Sequence, residues 1–233
     1  MKKLLLILLY LPFLGFGQDK SFELGLLFGG SFNSLNGNAF QAEWFNKTSL
    51  QPVGGLLVQY NFKNRFSIKS KLLYHIKGGG SDDIEITTVD LPDGGIGTYS
   101  AQLKLYNIKL PLLVQLNFRK NRWRFFCNTG VYFGHLMKAE YVEDSPLETR
   151  NDNSGETIEG YNRFDFGLKL GGGASFQINE RIRVFLEPSL DYGLTNINNL
   201  DILSNRDKVM TTQAITTPIG LTYNFPIKKK TFN

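Results

Sequence analysis

The chain is 233 residues long, 42% apolar and 20% charged, which suits one domain or a small pair. Its formal net charge of +5 is too small to point to nucleic acid, and the single cysteine, Cys127, cannot form an internal disulfide. Beyond the N-terminus no stretch approaches the ~18 consecutive apolar residues of a transmembrane helix, so any membrane-crossing structure must be built from strands.

Residues 1–17 carry Lys2 and Lys3, then an apolar run from residue 4 to 16, with small Gly15 and Gly17 at −3 and −1 of a cut before Gln18. This is the layout of a secretory signal peptide, leaving residues 18–233 as the mature domain. No cysteine stands at the cut, so lipid attachment there is not indicated. Removal of Lys2 and Lys3 leaves 24 basic residues against 21 acidic ones.

The mature chain then repeats one pattern, with apolar side chains at every second position, the period of a strand with two unlike faces. Residues 22–32 place Phe22, Leu24, Leu26, Phe28 and Phe32 on one face. Residues 52–62 set Leu56, Val58, Tyr60 and Phe62 against Gln59 and Asn61. From 66 to 77, Phe66, Ile68, Leu72, Tyr74 and Ile76 alternate with Ser67, Lys69, Lys71, His75 and Lys77. The fourth segment, 102–118, opposes Tyr106, Ile108, Leu110, Leu112, Val114, Leu116 and Phe118 to Asn107, Lys109, Gln115 and Asn117. Residues 123–135 oppose Trp123, Phe125, Cys127, Val131 and Phe133 to Arg124, Asn128 and Tyr132, with Cys127 as a small apolar filler. The sixth, 163–178, has Phe164, Phe166, Leu168, Leu170 and Phe176 against Arg163, Asp165, Lys169 and Ser175. The seventh, 182–192, sets Ile182, Val184, Leu186, Leu190 and Tyr192 against Arg183, Glu187, Ser189 and Asp191. The eighth, 215–225, ends the series with Ile215, Ile219, Leu221, Tyr223 and Phe225 against Thr216, Thr222 and Asn224.

Connections alternate as well: long near 33–51, 78–101, 137–160 and 195–213, short at 63–65, 119–122 and 179–181. This layout predicts an all-β, eight-stranded antiparallel up-and-down transmembrane β-barrel of the bacterial outer membrane, with both termini periplasmic. The faces are assigned by cost. Turned outward, Lys69, Lys71, Lys169, Arg183 and Glu187 would meet hydrocarbon, where a basic residue costs about 2–4 kcal/mol at the midplane. The apolar face therefore looks out. Tyr60, Phe62, Phe66, Phe118, Trp123, Phe176, Tyr223 and Phe225 would ring one interface, and Phe32, Tyr74, Tyr106, Phe133, Phe164 and Tyr192 the other. A soluble lipocalin-like carrier would invert the faces, and is disfavoured by the mid-strand charges. Pro111, Pro188 and Pro218 lie inside segments and call for bulges or gaps in the ladder; the glycines at 54–55 and 171–173 suit kinks or crossing side chains.

The stretches LLYHIKGGG at 72–80, YNIKLPLLV at 106–114, RFDFGLKLGGG at 163–173 and IGLTYNF at 219–225 resemble the PorT-like small outer-membrane barrels of Bacteroidota over nearly the whole mature chain. The resemblance implies an eight-stranded barrel and accommodates Pro111. It also makes Gly220, Tyr223 and Phe225 resemble the signal read by the barrel-assembly machinery. Two departures are Pro218, where that signal prefers a polar residue, and the tail at 226–233 that follows it. Some members of the group assist secretion of surface proteins, and that role comes only with the resemblance.

Eight strands leave an interior just wide enough for side chains to fill, so an open pore is not expected. The inward face supplies Glu23, Lys69, Lys71, Lys109, Arg124, Arg163, Asp165, Lys169, Arg183, Glu187 and Asp191, expected to form a charge network. If the turn at 179–181 pairs Ile178 with Ile182, Lys169 lands opposite Asp191 and Glu187 opposite Gly173. Of the two histidines, His135 at the outer rim is the one candidate for a lipid-modifying site, yet no serine lies on its strand at a workable spacing. The connection at 137–160 is acidic, with Glu140, Glu143, Asp144, Glu148, Asp152, Glu156 and Glu159, but its spacing fits no calcium loop. The expectation is a non-enzymatic barrel with a structural or loop-mediated binding role, no cofactor and no metal. Its partners would be outer-membrane lipid and lipopolysaccharide, the assembly machinery, and a protein at the extracellular loops. An accessory part in secretion is the alternative, and a small channel or a lipid-modifying enzyme comes last.

Overall fold

The computed structural model describes residues 20–62, 65–81, 84–87, 96–144, 155–156, 158–199 and 208–226. The expected signal peptide, the tail from residue 227 and the loop carboxylates Glu148 and Asp152 lie outside them. The strands are β1 Ser21–Gly37, β2 Lys47–Asn61, β3 Phe66–Gly80, β4 Ile84–Thr87, β5 Ile96–Lys120, β6 Trp123–Asp144, β7 Gly155–Glu156, β8 Phe164–Gln177, β9 Ile182–Leu186, β10 Ser189–Gly193 and β11 Met210–Pro226. A short α-helix, α1, spans Phe40–Trp44 between β1 and β2.

All pairings are antiparallel, and neighbours in sequence are neighbours in space. The ring runs β1–β2–β3–β5–β6–β8, continues through β9 and β10, and closes through β11 on β1. Among the described residues, closure leaves no edge in the ring itself whose free N–H and C=O groups would face lipid. The small strands β4 and β7 pair on the outer ends of β5 and β6.

Among the described residues nine strands make this ring, where eight continuous ones were expected, because the seventh segment is split between Leu186 and Ser189. Proline chemistry explains the split. Gly172 donates its N–H to Pro188 O at 3.0 Å and Glu187 donates to Pro218 O at 3.0 Å, but neither proline can return the bond. Two rungs are thus lost side by side, one toward each neighbouring strand. Register is kept across the gap, since Ala174↔Leu186 and Gly171↔Ser189 belong to one alignment. Pro111 acts similarly. The β3–β5 ladder stops at Ser70↔Leu112 and resumes in register at Leu73↔Lys109, so the interruption lies opposite Pro111.

Side-chain parity follows lipid and lumen. Along β3, Leu72 is 49% exposed and Lys71 only 2%, with the same alternation over most of the wall. Glycine makes the narrow interior fit. Gly55 and Gly220 flank Leu27 on β2 and β11, and a Cβ on Gly220 would stand 2.6 Å from the Phe185 ring. Inward Leu27, Val53, Leu57, Leu73 and Phe185 consequently form an apolar belt inside the polar lumen. Over Gly171 and Gly173 the inward side chains of Asn128 and Phe126 cross, within 2.7 and 2.9 Å of an added Cβ.

One rim carries the tight turns. Asn121 takes a φ of 56° in the β5–β6 turn, a left-handed conformation that asparagine tolerates. Asn179 Oδ1 accepts from the N–H groups of Arg181 and Ile182 at 2.9 and 2.8 Å, shaping the β8–β9 turn.

At the other rim the strands run on. β5 has 25 residues and β6 has 22, against the ~9–11 that a tilted strand needs to cross a bilayer. Much of what was expected as loop is therefore strand: β1 continues to Gly37, β2 begins at Lys47, and β6 reaches Asp144. Gly37, at φ 140°, lets the chain turn off β1 against Val209, whose carbonyl oxygen a Cβ would overlap. Next to it, Asn38 exchanges two bonds with the Val209 backbone, at 3.0 and 2.7 Å. So held, α1 lays Ala39, Ala42 and Phe45 among buried Leu35, Leu103, Leu105, Leu136, Tyr161, Ile197 and Met210, an apolar cluster inside the long-loop end.

Candidate functional site

The chemistry-bearing side chains gather in the lumen, in tiers from the short-turn rim upward. Lowest, Glu23 takes a bidentate pair from Arg124 at 2.8 and 3.0 Å and accepts further bonds from Asn61 and Thr222 at 2.9 and 3.2 Å. Above it Glu187 accepts from Lys69 at 2.9 Å, Lys71 at 2.7 Å and Asn128 at 2.9 Å. Lys69 also stands 4.4 Å from the centre of the Phe126 ring, a cation–π contact.

Asp191 forms the next tier, bonded to Lys169 at 2.5 Å and to Lys109, whose ammonium lies 3.9 Å from the Tyr132 ring centre. The register places Lys169 directly opposite Asp191. Asp165 then accepts from Lys77 at 2.6 Å and Thr212 at 3.1 Å. Two residues before Lys77 on β3, His75 Nε2 shares bonds with Ser31 Oγ at 2.8 Å and Asn33 Oδ1 at 3.2 Å.

These charges are out of water, and the arrangement makes burial bearable. Breaking such a pair by removing one partner costs about 3–5 kcal/mol, because the remaining charge is stranded. Every carboxylate of the tiers has two or more donors, and at least one donor to each comes from a strand that does not adjoin it. The network therefore ties opposite walls together.

The aligned inner charges Glu23, Lys69, Lys71, Lys109, Arg124, Asp165, Lys169, Arg183, Glu187 and Asp191 all lie buried. Arg163 does not. It precedes Phe164, the first residue of β8, and its side chain is exposed at the rim, where water solvates the guanidinium. Lys77, Tyr132 and Thr212 belong to the interior network although the expected list omits them. Lys77 shares the parity of Lys69 and Lys71, which is the signal that marks it; Tyr132 and Thr212 are ordinary strand residues until their partners are known.

Arg183 stands apart from the paired cations. Its Nη2 donates to Gln177 Oε1 at 3.1 Å, while its buried Nε meets no acceptor.

Ser31 and His75 superficially resemble a nucleophile and its base. Both are completely buried, and His75 Nδ1 has no partner to orient the ring, so the pair lacks substrate access and the third member that such a site needs. His135 faces outward against Phe164, ring centres 5.2 Å apart. Among the described residues no three His, Cys, Asp or Glu side chains gather as a metal cluster.

On the outer face, Tyr60, Phe62, Phe66, Phe118, Trp123, Phe176, Tyr223 and Phe225 sit toward the short-turn end, exposed or half-buried. They pack in pairs: Tyr60 with Phe62 at 4.7 Å, Trp123 with Phe176 at 5.0 Å, Tyr223 with Phe225 at 4.6 Å. Within the segment expected to carry the assembly signal, Tyr223 and Phe225 point outward, while Gly220 makes room for Phe185.

A closed antiparallel ring with a greasy outside and ion-paired inside defines an outer-membrane β-barrel. The outer membrane protein beta-barrel domain model matches residues 16–199, and the chain belongs to that family, which places it in the bacterial outer membrane. Among solved structures, Neisserial surface protein A (NspA) is similar at 9% identity, covering 88% of this chain and 97% of that one, with a TM-score of 0.51. That likeness supports the fold alone. A major outer membrane protein from Thermus thermophilus (13% identity, 89% and 100% covered, TM-score 0.46) and the N-terminal barrel of Pseudomonas aeruginosa OprF (13%, 89% and 100%, 0.43) also match. No curated protein matches the sequence significantly.

Proposed function

We propose that this chain is a non-enzymatic outer-membrane barrel with a closed lumen, acting through its long-loop rim as a structural element or as the binding surface for a protein partner. One observation carries the reading: the lumen is crossed at successive levels by bonded side chains, and the apolar cluster around α1 lies above them. Such ties stiffen the wall, and side chains that fill an eight-stave lumen support its being closed. Both termini then lie in the periplasm, beside the short turns, and the long rim faces outward. β9 and β10 share both neighbours and one register, which supports counting them as one stave of an eight-stave barrel. The rim offers a stacked, exposed pair for contact, Phe40 and Trp44, ring centres 5.7 Å apart.

Two measurements test this. The purified protein in planar bilayers should give no unitary conductance at any voltage; steady openings would exclude a closed lumen. Pull-down from cells should lose the partner when residues 38–46 are replaced by a short linker, and undiminished recovery from that and every other loop replacement argues against binding at the rim. A place in surface-protein secretion follows only from the PorT-like resemblance, and normal export in a deletion strain removes it.

A further inference from the structure

The short-turn rim is strongly basic. Among its described residues Arg65, Arg119, Lys120, Arg122 and Arg181 are exposed, and Glu180 is the one exposed carboxylate beside them. The far rim is built differently, since there Lys47, Lys138 and Arg163 share the surface with Glu43, Glu140 and Glu159. Glu23 and Arg124 are buried in the lumen as a pair, so they leave the imbalance at the short-turn rim unchanged.

Each short turn sets a cation beside an outward aromatic side chain. Arg65, ahead of β3, precedes Phe66, and that turn is closed by the Phe62 N–H donating to Phe66 O at 3.0 Å. In the β5–β6 turn Lys120 stands directly opposite Trp123 and has the outward parity of Phe118, while Arg122 precedes Trp123. In the β8–β9 turn Arg181 Nη1 donates to the Tyr223 hydroxyl at 2.9 Å, which holds the guanidinium on the outer wall. The three turns alternate round the ring with the strand pairs joined at the far rim, and Lys20 stands just ahead of β1 in the remaining quarter. Positive charge therefore surrounds the barrel at one level, at the edge of the aromatic belt.

We infer that this rim is a binding surface for the headgroups of anionic phospholipid in the leaflet that surrounds it. Aromatic side chains at the end of a barrel wall mark the headgroup level. A long basic side chain beside them lays its stem on apolar surface and keeps its charge among the phosphates. Arginine adds a planar fork that matches phosphate oxygens. Placement favours lipid over an acidic protein as the occupant: Lys120 and Arg181 are turned to the outer wall, where lipid lies, and the cations occur on every side of the ring. The inference rests on the reading that the short turns face the periplasm, where the surrounding leaflet is phospholipid.

The chain has two tryptophans, so Trp44→Phe leaves Trp123 as a single reporter at this rim. The full mature chain with that change is refolded into phosphatidylcholine vesicles, and quenching of Trp123 by brominated phosphatidylglycerol is set against quenching by brominated phosphatidylcholine. The anionic lipid should be preferred by about fivefold or more, the effect of one or more cations at a charged surface, and the preference should fall as salt is raised. Arg65→Gln, Lys120→Gln, Arg122→Gln and Arg181→Gln together should abolish it. Should that variant fail the heat-modifiability gel that reports a closed barrel, Lys120→Gln alone takes its place and should lower the preference by about twofold or more. No preference with the unaltered rim, or an undiminished one in a folded variant, overturns the assignment. No preference together with binding of soluble polyglutamate that the same variants lose gives the rim to an acidic protein instead. Orientation is read separately, in cells carrying Cys127→Ser and Glu180→Cys: a membrane-impermeant maleimide should label residue 180 only after the outer membrane is opened. Labelling of intact cells overturns the periplasmic placement and leaves the vesicle result standing, so the two readings fail independently.

Discussion

The backbone N–H of Glu187 donates to the carbonyl of Pro218 at 3.0 Å, and the return bond that would complete the antiparallel pair cannot form because Pro218 has no N–H. The same Glu187 holds two lysines from the opposite wall through its side chain. The weakest point of the wall's ladder and a strong cross-lumen tie thus meet at one residue.

Restoring the missing donor should join the two halves of the interrupted stave. In Pro218→Ala the amide at 218 should become protected in hydrogen exchange. Global stability should shift by less than about 1 kcal/mol, since one hydrogen bond is gained while unfolded-chain entropy rises. Rapid exchange at 218 would show that the gap has another cause.

Glu187→Gln should strand Lys69 and Lys71 in the lumen. The expected loss is about 3–5 kcal/mol in urea unfolding from lipid vesicles. Arg163→Gln, at the exposed rim, should stay within about 0.5 kcal/mol of wild type. Equal effects would mean that the buried pairs carry no weight.

The outer wall can be probed by placing a charge in it. Leu72→Arg should cost about 2–4 kcal/mol, and Phe66→Arg at the rim no more than about 1 kcal/mol, by the depth dependence of the bilayer. Comparable losses at both positions would contradict a lipid-facing wall centred near Leu72.

Gly37→Ala should dislodge α1, because a methyl at φ 140° would overlap the Val209 carbonyl oxygen. Limited proteolysis should then cut within residues 38–46 faster than in the wild type. The variant should still fail to conduct in planar bilayers, since the ion-paired tiers beneath the helix remain. Conductance in this variant but not in the wild type would make α1 the sole closure.

Alternation in the sequence determined the wall. Leu72 beside Lys71, or Leu168 beside Lys169, reveals two faces because the strand period of two is a backbone property and needs no knowledge of neighbours. The cost of a charge in hydrocarbon then settles which face is out. Arg163 escaped that logic: its parity is inward, but it stands just before the first residue of β8, at the rim, where its side chain reaches water. Leu27, Leu57 and Phe185 escaped it as well, since the apolar belt inside the lumen exists only where Gly55 and Gly220 leave space on adjoining strands.

What only the tertiary structure decided is who meets whom across the lumen. Lys169 and Asp191 are neighbours on one hairpin and follow from its turn, whereas Lys77 reaches Asp165 across 88 residues and Arg124 reaches Glu23 across 101. Such partners depend on strand stagger and ring closure, which no local pattern encodes. The placement of α1 among Leu103, Leu136 and Met210 comes from that same closure.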